Sequence, residues 1–303
     1  MIQDTLQKIA DAPSAPPAVE VARLAGLSAS DRQAFLPIWR GIPPERRQAV
    51  LRLAIQLAEN DVELDFTDVF KACLSDPNEG VRAAAIEGLW EDEDFRTADV
   101  LAGLVRTDPA EQVRAVAALG LSRFAVLAEL GKLYGPSADR VKAALLASAT
   151  DRAEASGVRR RAIEAVGAFS DPIVGELVAA AYADPDPAMR ASAVYAMGRT
   201  CDDRWLETIL RELENENPEL RYEAARAAGG IESSRALVPL ITLLDDVDLE
   251  VRLASIGAIA EIGGEIARKT LEQCARSDDA AIRAAALDAL NDLGLNADPL
   301  SIS

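Results

Sequence analysis

The side chains of this chain that could carry out chemistry are carboxylates, arginines and three thiols, because the sequence contains no histidine. Histidine is the usual general base near neutral pH, the usual partner of a nucleophile and the commonest protein ligand of transition metals. Its absence therefore argues against most hydrolytic mechanisms and most transition-metal sites. Cys73, Cys201 and Cys274 are too scattered for a zinc motif or a disulfide framework, and we interpret them as reduced thiols of a cytoplasmic protein.

Carboxylates are the most abundant candidate ligands: 50 Asp and Glu outnumber 32 Lys and Arg, and the formal net charge is −18. They cluster in four segments, EDED (91–94), DD (202–203), DDVDLE (245–250) and DD (278–279). An EF-hand calcium loop needs glycine at its sixth position and glutamate at its twelfth, and the 245–250 segment does not lead into that pattern. The helix dipole also stabilises carboxylates at helix N-termini. We therefore predict no metal, no cofactor and no catalytic residue, and hence a non-enzymatic protein.

The distribution of charge limits the partners. Residues 1–60 hold seven Lys and Arg against six Asp and Glu, so residues 61–303 carry nearly all of the acidic excess. Binding of a duplex needs a basic surface that neutralises phosphates, so we predict no nucleic acid partner. No run approaches 18 apolar residues, and the segment MIQDTLQKIADAP lacks the basic and apolar regions of a signal peptide. We therefore predict no membrane partner and a cytoplasmic location.

A series of arginines at nearly constant spacing indicates the elements that organise the chain. The intervals are 32, 45, 31, 31, 31 and 31 residues, between Arg82, Arg114, Arg159, Arg190, Arg221, Arg252 and Arg283. A fixed period of this size is typical of stacked supersecondary units. Thirty-one residues accommodate two helices of about three to four turns and two short turns. The abundance of alanine favours helices that pack closely.

Apolar residues surround each arginine in a helical pattern. They stand one residue before it and three, four and seven residues after it, as Val81, Ala85, Ile86 and Leu89 do around Arg82. This spacing places them on one stripe of an α-helix. Six residues before the arginine stands a residue that we predict to cap the helix: Asp76, Asp108, Asp184, Asn215, Asp246 and Ser277. In three units a proline follows it, where a first helical turn accepts proline: Pro77, Pro109 and Pro185.

The motif of an Asp-Pro turn, a Val-Arg pair and an alanine-rich helix ending near Leu-Gly resembles the HEAT repeat. It is most similar to the short bacterial subtype also found in phycobilin lyases, and the resemblance covers about residues 64–295. It implies an all-α fold, a right-handed α-α superhelix (HEAT-repeat solenoid). It also implies a hydrogen-bonded ladder of turn aspartates and helix arginines between adjacent repeats. The implied ladder comprises Asp76 with Arg82, Asp108 with Arg114, Asp184 with Arg190 and Asp246 with Arg252, and is weakened at Asn215 and Ser277.

Three stretches depart from the regular pattern and define the predicted domains. We predict residues 1–60 to form an atypical helical cap, residues 61–295 to form the solenoid and residues 296–303 to form a C-terminal tail. The 45-residue interval predicts an additional helix near 123–134, broken at Gly135-Pro136. This insertion, residues 123–136, is either a structural spacer or a partner-binding element.

The candidate partner-binding residues lie on the predicted concave face, which the second helices of HEAT repeats line. Positions one, two, five and nine residues after the arginine face away from the core stripe, and in the flanking units they are mostly small or apolar. In the central units they are larger and polar: Arg160, Arg161, Glu164, Tyr195, Arg199, Tyr222 and Arg226. Aromatic and arginine side chains are enriched at binding hot spots. A tightly curved inner face with merely solvated polar residues at its centre would give the same pattern, so both interpretations stay open.

The pattern as a whole predicts a non-enzymatic scaffold or adaptor that binds another protein or a peptide segment on its concave face. Because the chain is acidic, we expect this partner to be basic. The alternative is a phycobilin-lyase-like accessory protein that acts on or chaperones a chromophore-bearing or other partner protein, since those lyases share the repeat subtype. The sequence leaves open whether the groove or the 123–136 insertion is the binding site.

Overall fold

A computed structural model describes residues 2–297, and their regular structure is α-helical with three short 3₁₀ turns. The chain divides into two compact units, an N-terminal unit that ends at Ala165 and a C-terminal unit that begins at Val166. The helices of the N-terminal unit are α1 (Ile2–Asp11), α2 (Ala18–Ala22), α3 (Ala29–Trp39), α4 (Pro44–Asn60), α5 (Thr67–Cys73), α6 (Glu79–Glu87), α7 (Phe95–Thr107), α8 (Glu111–Glu129), α9 (Pro136–Thr150) and α10 (Ser156–Val166).

The helices of the C-terminal unit are α11 (Pro172–Tyr182), α12 (Pro187–Arg199), α13 (Leu206–Glu212), α14 (Pro218–Ile231), α15 (Leu237–Thr242), α16 (Leu249–Ile262), α17 (Gly264–Cys274) and α18 (Ala280–Ala297). The 3₁₀ turns, Asp203–Trp205, Ser234–Ala236 and Leu243–Asp245, flank α13 and α15. From α5 onwards the helices alternate between first and second helices of a repeat, and each second helix carries the motif arginine. Within the N-terminal unit α6 packs against α4 and α8, and within the C-terminal unit α14 packs against α12 and α16.

The predicted apolar stripe forms the core between the helices. Around Arg82, the side chains of Val81, Ala85, Ile86 and Leu89 are all buried. The equivalent positions of α12, α14 and α16 are buried as well. In α18, by contrast, Leu287 is 48% exposed, because no later helix among the described residues packs on that face.

The turn before each second helix differs from the predicted capping arrangement. The side chain six residues before the arginine accepts a hydrogen bond from the backbone N–H two residues further on, as Asp76 does from Asn78 (2.9 Å). That later residue is the N-cap, and Asn78 accepts from the N–H of Val81 (3.1 Å). The predicted capping residues are therefore Asx-turn residues that lie two positions too early. The prolines at 77, 109 and 185 consequently lie in the turn and not in the helix.

The ladder exists, but its pairing differs from the one implied by the resemblance. Arg82 Nη1 donates to the backbone carbonyl of Asp76 (2.8 Å), so it supports the turn of its own repeat. Its Nε and Nη2 donate to the two carboxylate oxygens of Asp108 (2.7 Å each), which belongs to the next repeat. Arg221 makes the same contacts with the carbonyl of Asn215 and the carboxylate of Asp246. Arg82 and Arg221 therefore each bind a backbone carbonyl in the turn of their own repeat and the side-chain carboxylate in the turn of the following repeat.

Several rungs of the ladder deviate from this arrangement. Arg114 binds the carboxylate of Glu154 (2.8 Å), and Arg190 lies 3.6 Å from Glu212. Arg252 reaches Asp279 only at 3.5 Å. Within residues 2–297, Arg159 makes no side-chain hydrogen bond, and its buried Nε has no acceptor. The ladder therefore varies in strength from one repeat to the next.

The ladder begins earlier than the sequence motif does. Arg47 on α4 is buried, and its Nη1 donates to Asp76 (2.5 Å). Val50, Leu51 and Ala54 follow it at the predicted core positions and are buried. The residue before it is Arg46 instead of an apolar one, and its guanidinium binds the backbone carbonyls of residues 12 and 14. The helical part of residues 43–60 thus carries a ladder arginine, while the capping function predicted for residues 1–60 stays a prediction.

The predicted additional helix at 123–134 is wrong. α8 is a single helix of 19 residues, so the first part of the insertion prolongs it. The chain turns at Gly131 and Gly135, both of which have positive φ values, and α9 starts at Pro136. The predicted tail, residues 296–303, lies outside the described residues from 298 onwards.

The thiols occupy three different environments. Cys73 is fully buried, and burial raises its pKa. Cys274 is only partly buried. Cys201 is exposed and has a positive φ value at the end of α12.

Candidate functional site

The structure brings together four of the seven predicted binding residues in the C-terminal unit. Tyr195, Arg199, Tyr222 and Arg226 line one groove of about 510 Å³, which we call the Tyr195 groove. The second helices α12, α14 and α16 form this groove. Its other lining residues are Gly198, Ala227, Gly230, Glu250, Leu253, Ala254, Gly257, Ala258 and Glu261.

Helical spacing explains how each second helix contributes to the groove. α12 supplies residues 195, 198 and 199, and α14 supplies 222, 226, 227 and 230. Residues three and four apart lie on the same face of a helix, so each set forms one stripe. Most of them stand one, two, five or nine residues after the motif arginine, as expected for the predicted face.

Two aromatic rings hold the guanidinium of Arg226 in the groove. Its Cζ lies 4.9 Å from the ring centre of Tyr195 and 5.6 Å from that of Tyr222. Nη1 of the same side chain donates to Glu223 (3.3 Å). Cation–π contacts of this kind restrict a long side chain and leave its edge available for hydrogen bonds. Arg226 is therefore pre-positioned, although 44% of its side chain is exposed.

The floor of the groove consists of glycine and alanine because the helices approach each other closely. A methyl group on Gly198 would lie 2.4 Å from the Cα of Ala227. A methyl group on Gly230 would lie 2.9 Å from the carbonyl oxygen of Gly198. Larger side chains cannot occupy these positions without moving a helix. The small residues that the sequence shows here thus serve helix packing and also leave room above the floor.

The polar groups at the rim have hydrogen-bonding capacity that the protein does not use. Among the described residues, the side chains of Arg199, Glu250 and Glu261 make no hydrogen bond or ion pair. Desolvation in the groove raises the pKa of Glu261, and the positive charge of Arg226 opposes this shift only in part. The groove therefore offers both donors and acceptors to a ligand.

The other three predicted residues lie on α10 in the N-terminal unit. Arg161 Nη1 donates to Glu164 (2.7 Å), and Glu164 is buried. Arg160 is also engaged in an interaction. The side chains of Arg160, Arg161 and Glu164 are therefore engaged in contacts within the protein.

Sequence reasoning missed two acidic residues of the groove. Glu261 stands nine residues after Arg252, so the positional rule that selected Arg199 could have found it. Glu250 stands two residues before Arg252 and has no such signal, because it reaches the groove from the first turn of α16.

The described residues lack a cluster of metal ligands and a membrane-spanning helix. Within residues 2–297 no three His, Cys, Asp or Glu side chains are grouped so that they could hold a metal ion. In the same range no helix is both long enough and apolar enough to cross a membrane. The described residues that line the Tyr195 groove include no serine, threonine or cysteine, and their hydroxyl groups are the phenols of Tyr195 and Tyr222.

Comparison with protein families identifies the repeats. The family model for HEAT repeats matches residues 43–122 and 205–291, which is more than half of the chain. The chain therefore belongs to the HEAT-repeat family, and the predicted fold class, an all-α HEAT-repeat solenoid, is confirmed. The first match begins at residue 43, in agreement with the place of Arg47 in the ladder.

Solved structures of similar fold include a chain from the complex of CpcE and CpcF of phycocyanin lyase from Nostoc sp. PCC7120. That chain is 17% identical, with a TM-score of 0.56 and coverage of 93% of this chain and 96% of the other. The Escherichia coli protein YibA is 18% identical, with a TM-score of 0.47 and coverage of 90% and 95%. At these identities the similarity concerns the fold. A search of curated proteins gives no significant match.

Proposed function

We propose that this protein is a non-enzymatic scaffold that binds a segment of another protein in the Tyr195 groove. The observation that carries the proposal is the Arg226 guanidinium held between Tyr195 and Tyr222 above a floor of small residues. Rigid aromatic and arginine anchors in a partly desolvated groove are the usual composition of a binding hot spot. The clearance above Gly198 and Gly257 admits an extended strand or one face of a helix.

The electrostatics of the groove favour a segment that carries polar groups of both signs. Arg199 can donate to carboxylates or backbone carbonyls, and Glu250 and Glu261 can accept from amides or cationic side chains. At longer range the net charge of −18 attracts a basic partner and repels nucleic acid.

Site-specific cross-linking followed by mutagenesis tests this function. A photoreactive amino acid in place of Leu253, which lines the groove, should capture the partner in an extract of the native host. The same group in place of Val238, which is 72% exposed and outside the groove, serves as the matched control. The captured segment is then synthesised, and its affinity is measured by calorimetry.

The combined substitutions Tyr195→Ala and Arg226→Ala should weaken binding of that segment by about tenfold or more. The melting temperature should change little, because both side chains lie on the surface of their helices. Normal binding by this double variant, together with loss of binding when residues 123–136 are shortened, would show that the insertion is the site.

The second candidate function is that of a lyase-like accessory protein. It is favoured by the similar fold of a chain from a phycocyanin lyase complex. A protein that works in this way should take up an added bilin and develop a visible absorbance band. The scaffold function predicts no such band.

A further inference from the structure

One edge of the N-terminal unit exposes large apolar side chains in three successive connections. Val62 follows α4 and is 96% exposed, and Trp90 follows α6 and is 59% exposed. Leu130 and Tyr134 follow α8 and are 63% and 81% exposed. Because α6 packs against both α4 and α8, the three connections are neighbours. Exposed apolar residues that are grouped in this way mark interaction surfaces, whereas single ones need no explanation.

The first two of these connections enclose a groove of about 310 Å³, which we call the Trp90 groove. The buried side chains of Phe66, Phe70 and Leu89 form its floor, and Val62 and Trp90 stand at its rim. The Phe70 ring lies directly over Gly88, where a methyl group would approach it to 2.4 Å. The groove therefore has a firm apolar floor and is open to solvent.

The charged groups that line the Trp90 groove all have the same sign. Asp65, Glu91, Asp92 and Glu93 line it, and no Lys or Arg is among its described lining residues. The nearby Lys71 is shared by Asp92 (3.1 Å) and Asp94 (3.0 Å), so a single ammonium serves two carboxylates. One oxygen of Asp92, Oδ2, is buried and has no hydrogen-bond donor in the described part of the chain.

The elongated α8 holds the Trp90 connection in place. Counted from the motif arginine, α8 continues ten residues further than α6, which is about 15 Å. On this extension Arg123 donates to Glu93 (2.6 Å) and to the backbone carbonyl of Trp90 (3.4 Å). The extra turns therefore support the rim of the groove and do not cover it.

We propose that the Trp90 groove is a second docking surface, which takes a lysine- or arginine-rich segment of another protein through a large apolar side chain. The apolar floor receives that side chain, and the carboxylates at the rim pair with the basic residues beside it. The Tyr195 groove, with two arginines and two glutamates in its lining, lacks this one-sided charge. The two grooves therefore select different segments, and the proposal does not depend on the function of the Tyr195 groove.

Titration of a fluorescently labelled synthetic peptide with the full chain tests the proposal. The probe has a central leucine flanked by lysines on both sides, and the control peptide has glutamate in place of every lysine. At low salt, Trp90→Ala should weaken binding of the lysine peptide about fivefold or more. Glu91→Lys should weaken it about threefold through its charge alone. Val247→Ala provides the control, because it removes an exposed apolar side chain that does not line the Trp90 groove.

The outcomes separate this proposal from its alternatives. Unchanged binding by Trp90→Ala and Glu91→Lys, equal binding of the glutamate peptide, or no binding of the lysine peptide would each overturn it. Weaker binding by the Tyr195→Ala and Arg226→Ala double variant alone would assign the peptide to the other groove. Self-association that disappears in Trp90→Ala, measured by sedimentation, would show that a second copy of the chain covers the groove. Circular dichroism should verify that both Trp90 groove variants are folded.

Discussion

At the scale of single residues, a ladder arginine such as Arg82 forms hydrogen bonds to two turns with one side chain. In Arg82 one nitrogen satisfies a turn carbonyl of its own repeat, and two others bind the Asp108 carboxylate of the next repeat. The same carboxylate accepts the N–H of Ala110 and so shapes the next turn. Bidentate pairs between arginine and carboxylate are among the strongest hydrogen-bonded contacts in proteins.

Arg82→Ala should lower the free energy of unfolding by about 3–5 kcal/mol, because it leaves the buried Asp108 without its counter-charge. Arg190→Ala should cost about 1 kcal/mol or less, because that arginine is one-third exposed and lies 3.6 Å from Glu212. Urea unfolding followed by circular dichroism measures both values. Equal losses for the two variants would contradict the distinction between strong and weak rungs.

Most of the ladder arginines could be predicted from the sequence, but their pairing could not. The motif identified Arg82, Arg114 and Arg221 and missed Arg47, and the carboxylate that each one binds depends on how the repeats stack. Glu154 and Glu212 show the reason: a longer side chain reaches the arginine from a different backbone position. Glu212 also accepts from Asn215, the residue that replaces the turn aspartate in its repeat. A sequence pattern that considers only one fixed position cannot detect that a carboxylate at another position has taken over the pairing.

At the scale of the helices, the main feature is the close packing of second helices against one another. α12 and α14 meet at Gly198 and Ala227, and α14 and α16 meet at Gly229 and Ala258, where a side chain on the glycine would overlap its neighbour. These glycines lie within helices, where they are intrinsically unfavourable relative to alanine. The structure shows that packing compensates for this loss.

Gly198→Ala should destabilise the protein by about 1–3 kcal/mol, because its new methyl group meets backbone and not a movable side chain. Gly257→Ala is the matched control. Apart from its chain neighbours and the backbone of its own helix, no described heavy atom lies within 4 Å of the methyl group that it adds to α16, so it should stabilise the helix by up to about 1 kcal/mol. Thermal unfolding of the two variants should therefore shift in opposite directions. A stabilising Gly198→Ala would mean that the helices do not approach as closely as described.

The length of α8 shows where the prediction of elements failed. The residues SRFAVLAEL, 122–130, contain no helix breaker, so the helix simply continues until Gly131. The expectation of a standard repeat length suggested a separate helix, although the local sequence favoured continuation. Helix existence could be predicted from periodicity, whereas the end of the helix depended on the breaker residues.

Charge is the property that acts at the scale of the whole molecule. The hydrogen bond from Arg221 lowers the pKa of Asp246 in the folded protein. Burial alone would raise the pKa of Glu154, but hydrogen bonds from Arg114 and the Ala155 N–H outweigh it and lower the value. A carboxyl group with a lowered pKa stabilises the folded state above its unfolded pKa, and this contribution is lost as the pH falls through the folded value.

We therefore compare the free energies of unfolding of wild-type protein and Asp246→Asn. The difference, wild type minus variant, should decrease as the pH falls from about 5 to about 2. Comparison with a variant cancels the effect of falling net charge, which is common to both proteins. Asp278→Asn, which removes an exposed carboxylate, controls for the loss of one negative charge. Thermal unfolding across this pH range decides the matter, and a constant difference for Asp246→Asn would exclude a stabilising Arg221–Asp246 pair.

The fold as a whole could be predicted because every level of the sequence agreed: the period, the apolar stripe and the turn residues all indicated stacked helix pairs. The Tyr195 groove could be predicted in part, since the positional rule found Tyr195, Arg199, Tyr222 and Arg226. The Trp90 groove could not, because Val62 and Trp90 lie in connections that have no periodic position.

The ladder has a consequence for how genes of this kind can change length. Since Arg221 binds the carboxylate of the following repeat and not that of its own, any repeat with a turn carboxylate can follow it. Duplication or loss of a 31-residue segment joins one arginine to an equivalent turn and preserves the pairing. An unequal exchange of another length places the arginine opposite the wrong turn. Selection for a paired ladder would thus keep viable insertions and deletions near multiples of the period, except where a helix such as α8 can absorb the difference at its end.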